Sequence, residues 1–278
     1  MSISNIHQAI AQWSQHFSGR FTLYAEHLQT HEVVAHEPTR LMETASVIKL
    51  PIMIAAMDQV EAGHLDLATP LVYTRDDYVE GSGVVQNLTP GFALSLHDAL
   101  TLMITVSDNV ATNMVLRQIG LETVNAVMHR LGTPHIHLYK RIDFAQPGPI
   151  GIAPADEIGG LLKSLYHRTL ISPWASGIMW DILTRQQYNT IMTRDLPYHL
   201  LNEEGDTPAL VQIGSKSGSL EGIRNDVGIV TSKWGDYTVA LFSAECEDLR
   251  FHVDNEAMRL LPRLTRLLFD HFLGHYLP

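Results

Sequence analysis

The 278-residue chain holds one cysteine, Cys246, which excludes an internal disulfide and any cysteine-based zinc site. Cations are scarce as well. Lys and Arg number 19 against 30 Asp and Glu, the net charge is −11, and no basic run breaks the deficit. Such a chain repels a phosphate backbone or an anionic lipid surface, so neither nucleic acid nor membrane is an expected partner. Long apolar runs are missing: the longest, Leu50 to Met57, is far too short to span a bilayer. Residues 1–11 (MSISNIHQAIA) carry no basic segment, no apolar segment and no small-residue cleavage site. The expected location is therefore the cytoplasm, though a trimmed secreted form would begin in the same way. Internal repeats and low-complexity tracts are absent.

What remains is a globular composition, 45% hydrophobic and 18% charged, with ample material for a core. Ile6 to Phe17 has the apolar spacing of an amphipathic helix. Phe21 to Ala25 alternates as a strand, and a polar break leads to a second strand near Val33–Ala35. From Val47 to Gly120 the pattern is helical, with loops at 74–92. The Pro/Gly-rich stretch Gln146 to Pro154 reads as a surface loop, and Ala155 to Tyr166 returns to helix. Strand patterns recur at Leu210–Ile213, Val227–Thr231 and Tyr237–Ser243, the last two joined by a turn at 233–236, before a closing helix from Met258 to Leu273. Strands and helices at both ends with helices between them predict an α+β fold. In it, an antiparallel sheet flanked by terminal helices is assembled from 1–45 and 206–278, an all-α domain is inserted over 46–205, and the active site lies between.

Three short motifs stand in order: Ser46-Val-Ile-Lys49, Ser107-Asp-Asn109 and Lys216-Ser-Gly218. Each has a bland explanation, the second as a helix N-cap and the third as a strand end. Together they describe a chemistry. On a helix starting at Ser46, Lys49 shares the serine's face and can take its proton. It does so only if burial and a second cation lower its pKa, and apolar flanks and Lys216 could provide these. A helix start at Ser46 also aims backbone N–H groups at a developing oxyanion.

With these motifs the sequence resembles the penicilloyl-serine transferase superfamily, and within it the class A β-lactamases, of which the trio is the signature. Phe21 to Ala25 and Glu43 to Lys49 are similar to the family's strand and nucleophile helix, the intervals between motifs are similar too, and the likeness covers essentially the whole chain. The resemblance implies a β-lactamase/transpeptidase-like fold and a serine hydrolase forming an acyl-enzyme on amide or ester substrates, with no cofactor or metal. It implies Ser46 as nucleophile, Lys49 as its base, and Ser107 as proton donor to the leaving nitrogen. Asn109 would hold the substrate's side-chain amide, and Lys216 and Ser217 its carboxylate. The N–H groups of Ser46 and Ser219 would form the oxyanion hole, with Arg224 as a second carboxylate contact. The partner is then a small-molecule substrate carrying a carboxylate; the oligomeric state is unknown.

One departure stands out. The family's Arg-x-Glu-x-x-Leu-Asn loop supplies the glutamate that activates the deacylating water, whereas this chain has Arg141-Ile-Asp143-Phe-Ala-Gln146 at that interval. Asp143 is one methylene shorter and lacks the Leu-Asn partner, so either it acts as a poor base or it never faces the cleft. Class A-like hydrolysis of β-lactams is then expected to be weak. The alternatives are a penicillin-binding sensor or acyl trap with little turnover, and a serine-dependent carboxypeptidase, esterase or glutaminase. Of the 15 histidines, His135 and His137 could share a strand face, but without carboxylate or cysteine spacing they read as surface or packing residues. Gly81-Ser-Gly83 is expected to shape a turn at the cleft edge, with Tyr78 as its aromatic wall.

Overall fold

A computed structural model describes residues 3–201 and 209–274. Helix α1 (Ile3–His16) leads into β1 (Arg20–His27) and β2 (Val33–His36), and the short β3 (Met42–Glu43) delivers the chain to a 3₁₀ turn, Ala45–Ile48, continued by α2 (Lys49–Glu61). A two-stranded sheet of β4 (Pro70–Val72) and β5 (Ala93–Ser95) precedes the helices α3 (Leu96–Thr105), α4 (Asn109–Ile119) and α5 (Leu121–Arg130). Then follow β6 (His137–Leu138), β7 (Gly151–Ala153), α6 (Ala155–Tyr166), α7 (Pro173–Leu183) and the one-turn α8 (Tyr198–Leu201). The chain closes with β8 (Val211–Leu220), β9 (Ile223–Ser232), β10 (Tyr237–Ala244) and α9 (Glu256–Phe272).

The main sheet runs β2-β1-β10-β9-β8, and all four pairings are antiparallel. Because β1 lies beside β10, with Arg20 opposite Ala244 and His27 opposite Tyr237, the two ends of the chain share one sheet. Apolar residues alternate across it as its two buried faces require. Leu23, Ala25, Val239 and Leu241 pack under α1 and α9, while Val227, Ile229, Ala240 and Phe242 join the core of α2 to α7. Ile191, Met192, Leu196 and Leu200 lie in the stretch the sequence assigns to the helical domain, yet they pack with the terminal helices. Two further differences share a cause of their own. Gly151–Ala153, expected as loop, is a strand between β3 and β6, and Pro70–Val72 and Ala93–Ser95 pair where helix was expected. Strands of two or three residues carry too little periodicity to be seen from sequence.

Helix α6 lies close on the sheet because Gly159 has no side chain: a Cβ there would run into the Tyr24 ring. Gly159→Ala should therefore lower unfolding free energy by roughly 1–3 kcal/mol through overpacking, read as a lower urea midpoint at unchanged slope.

Candidate active site

The three motifs come from three different elements and converge. Ser46 sits in the 3₁₀ turn and Lys49 at the first position of α2. Ser107 precedes α4, and Lys216 to Gly218 lie on the edge strand β8. Asp108 makes the second of these placements possible. As N-cap of α4, one of its oxygens accepts the Ala111 N–H (2.9 Å), and the other accepts those of Val84 (2.6 Å) and Val85 (2.8 Å). One carboxylate thus starts the helix and ties the 80–87 loop over it. Ser107 itself is held at φ +52°, a conformation non-glycine residues seldom adopt, which turns its hydroxyl inward between two lysines.

Lys49 is wholly buried, and its ammonium makes three hydrogen bonds: to the Ser107 carbonyl (2.7 Å), the Ser107 hydroxyl (3.1 Å) and Asn109 Oδ1 (2.7 Å). Lys216, also wholly buried, donates to the same Ser107 hydroxyl (3.2 Å) and to the Ser217 carbonyl (2.6 Å). Burial first, and the Lys216 charge second, hold the Lys49 pKa well below the ordinary lysine value, with Asp108 opposing. Burial brings Lys216 down to about 7, with Asp226 opposing. Asp226 is itself buried, and desolvation raises its carboxyl to about 7 although it accepts the Met192 N–H (3.2 Å). Two ammonium groups around one hydroxyl in so dry a place repel each other, so one lysine is readily neutral, and Lys49 is the one pressed hardest.

Gly218 closes the arrangement. A Cβ there would lie 2.8 Å from the Thr44 carbonyl and 2.9 Å from the Ser46 nitrogen, so only glycine lets β8 pass this close to the Ser46 backbone. Ser219, exposed, follows on the same edge. The segment leading to Ser46 is pinned by Asn225 on β9, whose Nδ2 donates to the Glu43 carbonyl (3.0 Å), and by Thr44, whose N–H and hydroxyl both donate to the Gly151 carbonyl (3.0 Å each).

Two residues named from sequence have their groups occupied elsewhere. Arg224 is buried, donates to the carbonyls of Leu220 (2.5 Å), Ile223 (2.6 Å) and Arg250 (2.7 Å), and lies 4.5 Å under the Phe251 ring, where it braces the turn after β8. Asp143 accepts the Ala145 N–H and the Gln146 side-chain amide, each at 2.9 Å, and pairs with neither Arg141 nor Lys140. The residue anchored to the helical core in this loop is Ile142, 2% exposed, whose N–H and carbonyl are both held by the Asn113 amide at 3.0 Å. Asn113 and Asn225 were not singled out from sequence, and Asp108 entered only within the motif whose bland reading was a helix N-cap, the place it takes on α4. Asn113 could have been, since it lies one turn beyond Asn109 on the same helix face, a second amide where an apolar residue is expected. His135 bonds Glu157 (2.6 Å), and the His137 ring lies 4.6 Å from that of Tyr139. Among the described residues no three His, Cys, Asp or Glu side chains gather as metal ligands.

A model of the β-lactamase enzyme family matches residues 5–272. The chain belongs to that family. It is a β-lactamase-like serine hydrolase. A β-lactamase of Rhodobacter capsulatus is 24% identical over 270 residues, covering 94% of this chain and 87% of that protein. The solved β-lactamase of Sphaerobacter thermophilus is 29% identical and superposes with a TM-score of 0.87 over the whole of both chains. PBP-A, at 22% identity, shares the fold with a TM-score of 0.84 over 96% of each chain.

The lysine pair has a measurable signature. If Lys49 is the base, it accepts a proton only when neutral, so kcat/KM for a carboxylate-bearing substrate should rise with pH through its lowered pKa. If Lys216 holds the carboxylate, it does so only while charged, so the rate should fall again above about 7. In Lys216→Gln the falling limb should vanish, and the rising limb should move to higher pH because the repelling cation is gone. A falling limb unchanged by this substitution counts against the assignment.

Proposed function

We propose that the protein acylates itself at Ser46 with β-lactams or related amides and esters bearing a carboxylate, and releases the acyl group slowly. The observation that supports this best is the Lys49–Ser107–Lys216 junction, a buried base and a buried proton relay around one hydroxyl. Neutral Lys49 takes the Ser46 proton as Oγ attacks the carbonyl carbon. The N–H groups of Ser46 and Ser219 receive the oxyanion. As the C–N bond breaks, the Ser107 hydroxyl protonates the leaving nitrogen and is refilled from the lysines on either side. Asn109 keeps one amide N–H on the Glu80 carbonyl (3.1 Å) and offers the other to the substrate's acyl amide. Among the described residues Lys216 uses two of its three N–H bonds, and the third, with Ser217, suits the carboxylate.

The second reading, an acyl trap, is favoured by the 141–146 loop. The Asp143 oxygens serve the loop's own turn, and the residue fixed toward the helical core is the apolar Ile142, so water over the ester has no carboxylate base from this segment. One structural neighbour, a point mutant of PBP-A, was solved as an acyl-enzyme complex with penicillin G, which makes penicillin G the first ligand to try.

Intact mass after mixing with penicillin G should show one acyl adduct per chain. The adduct should be absent in Ser46→Ala and should form roughly 10²–10⁴-fold more slowly in Lys49→Ala. An adduct surviving in Ser46→Ala would remove the nucleophile. Turnover should be limited by deacylation, seen as a burst, and Asp143→Asn should leave its rate little changed. A large loss of turnover in Asp143→Asn with acylation intact would identify Asp143 as a working base and the protein as a proficient β-lactamase.

A further inference from the structure

The 140–147 loop carries a ring that the chemistry above does not use. Phe144 is 53% exposed although the segment that carries it is firmly anchored. Before it, the backbone of Ile142 is clamped by Asn113; after it, the Ala145 N–H is taken by Asp143, and Lys140 donates to the carbonyls of Gln146 and Pro147. The ring is therefore held by turns on both sides while its face is left open.

Its edge meets the opposite lip of the cleft. Gly81, at φ +113°, has no side chain, and a Cβ built there would lie 3.6 Å from Phe144 Cε2 and 2.8 Å from Asn109 Nδ2. Phe144 and the amide of Asn109 thus converge on one point. The lip is itself fixed: the Gln86 side chain bonds the Gly81 N–H and the carbonyls of Gly81 and Gly83. The sequence pointed to Tyr78 as the aromatic wall here, but the ring that reaches Gly81 is that of Phe144.

The geometry points to Phe144 as a specificity-determining residue: its face is the apolar wall on which the acyl side chain lies once Asn109 holds the adjoining amide. The class favoured is then acyl donors carrying an aromatic or flat apolar group close to that amide, and Asp143 acts as a positioning residue through the turn that holds the ring. This rests on the acyl-enzyme reading above.

The test compares penicillin G, which carries a phenylacetyl side chain, with 6-aminopenicillanic acid, which has the same nucleus and none. Second-order acylation rates are followed by intact mass for the wild type, Phe144→Ala and Phe144→Tyr. Phe144→Ala should slow penicillin G about tenfold and 6-aminopenicillanic acid less than about twofold, while Phe144→Tyr keeps the wild-type ratio. An equal loss on both ligands would make the ring a support of the loop and overturn the inference, as would no loss on either. A wild type acylated by neither ligand would refute the acyl-enzyme reading itself, and with it the inference, without recourse to any variant.

Discussion

Two lysine side chains buried against one serine hydroxyl make the demand that the neighbouring structure answers. An isolated ammonium in so dry a place is strongly disfavoured, and two are worse. The fold accepts the pair because nearly every donor has a partner: the Ser107 carbonyl and hydroxyl, Asn109 Oδ1 and the Ser217 carbonyl. Those acceptors stand where they do because Asp108 caps α4 and Ser107 takes a left-handed backbone. Asp226, buried nearby on β9, offers the countercharge only in part, since its own carboxyl is pushed toward neutrality. The junction is thus poised between protonation states, which suits a proton relay better than a static ion pair.

Much of this was legible in the sequence. Ser46, Lys49, Ser107, Asn109 and Lys216 could be picked out because their spacing and order matter more than their surroundings, and the long elements followed from periodicity: α6 was expected at its observed bounds, 155–166. The β8 strand was seen only to Ile213, because Gly214-Ser-Lys-Ser-Gly218 has no apolar alternation. Its pattern is that of a site, with polar groups facing a cleft and glycine where backbones touch.

The buried amides and carboxylate that shape the site were harder to see. Asn113 and Asn225, and Asp108 in its hold on Val84 and Val85, act on backbone groups distant in sequence, a relation that no local pattern encodes; only the capping of α4 by Asp108 is local. Asp143 and Arg224 were diverted mostly by near neighbours instead. Arg224 fits its implied role by residue type and Asp143 falls a methylene short of its own, and carbonyls and N–H groups within reach claimed both once the loops closed. Polar side chains near a cleft are claimed first by the nearest unsatisfied backbone.

The pairing of β1 with β10 carries a consequence for the order of events during synthesis. The strand laid down among the first residues must wait for Tyr237–Ala244 before its edge is covered, and β8 cannot reach the turn at Ser46 until it has been made. The helices from α2 to α7 share a core drawn largely from residues 42–183 and can consolidate earlier. The neighbourhood of Ser46 is therefore half-built for most of the chain's emergence, with Lys49 placed and Lys216 absent. Sequence-distant closure of this kind is slow. Activity should be the last property the nascent chain acquires, and anything that delays the final strands leaves an open sheet edge available to other chains.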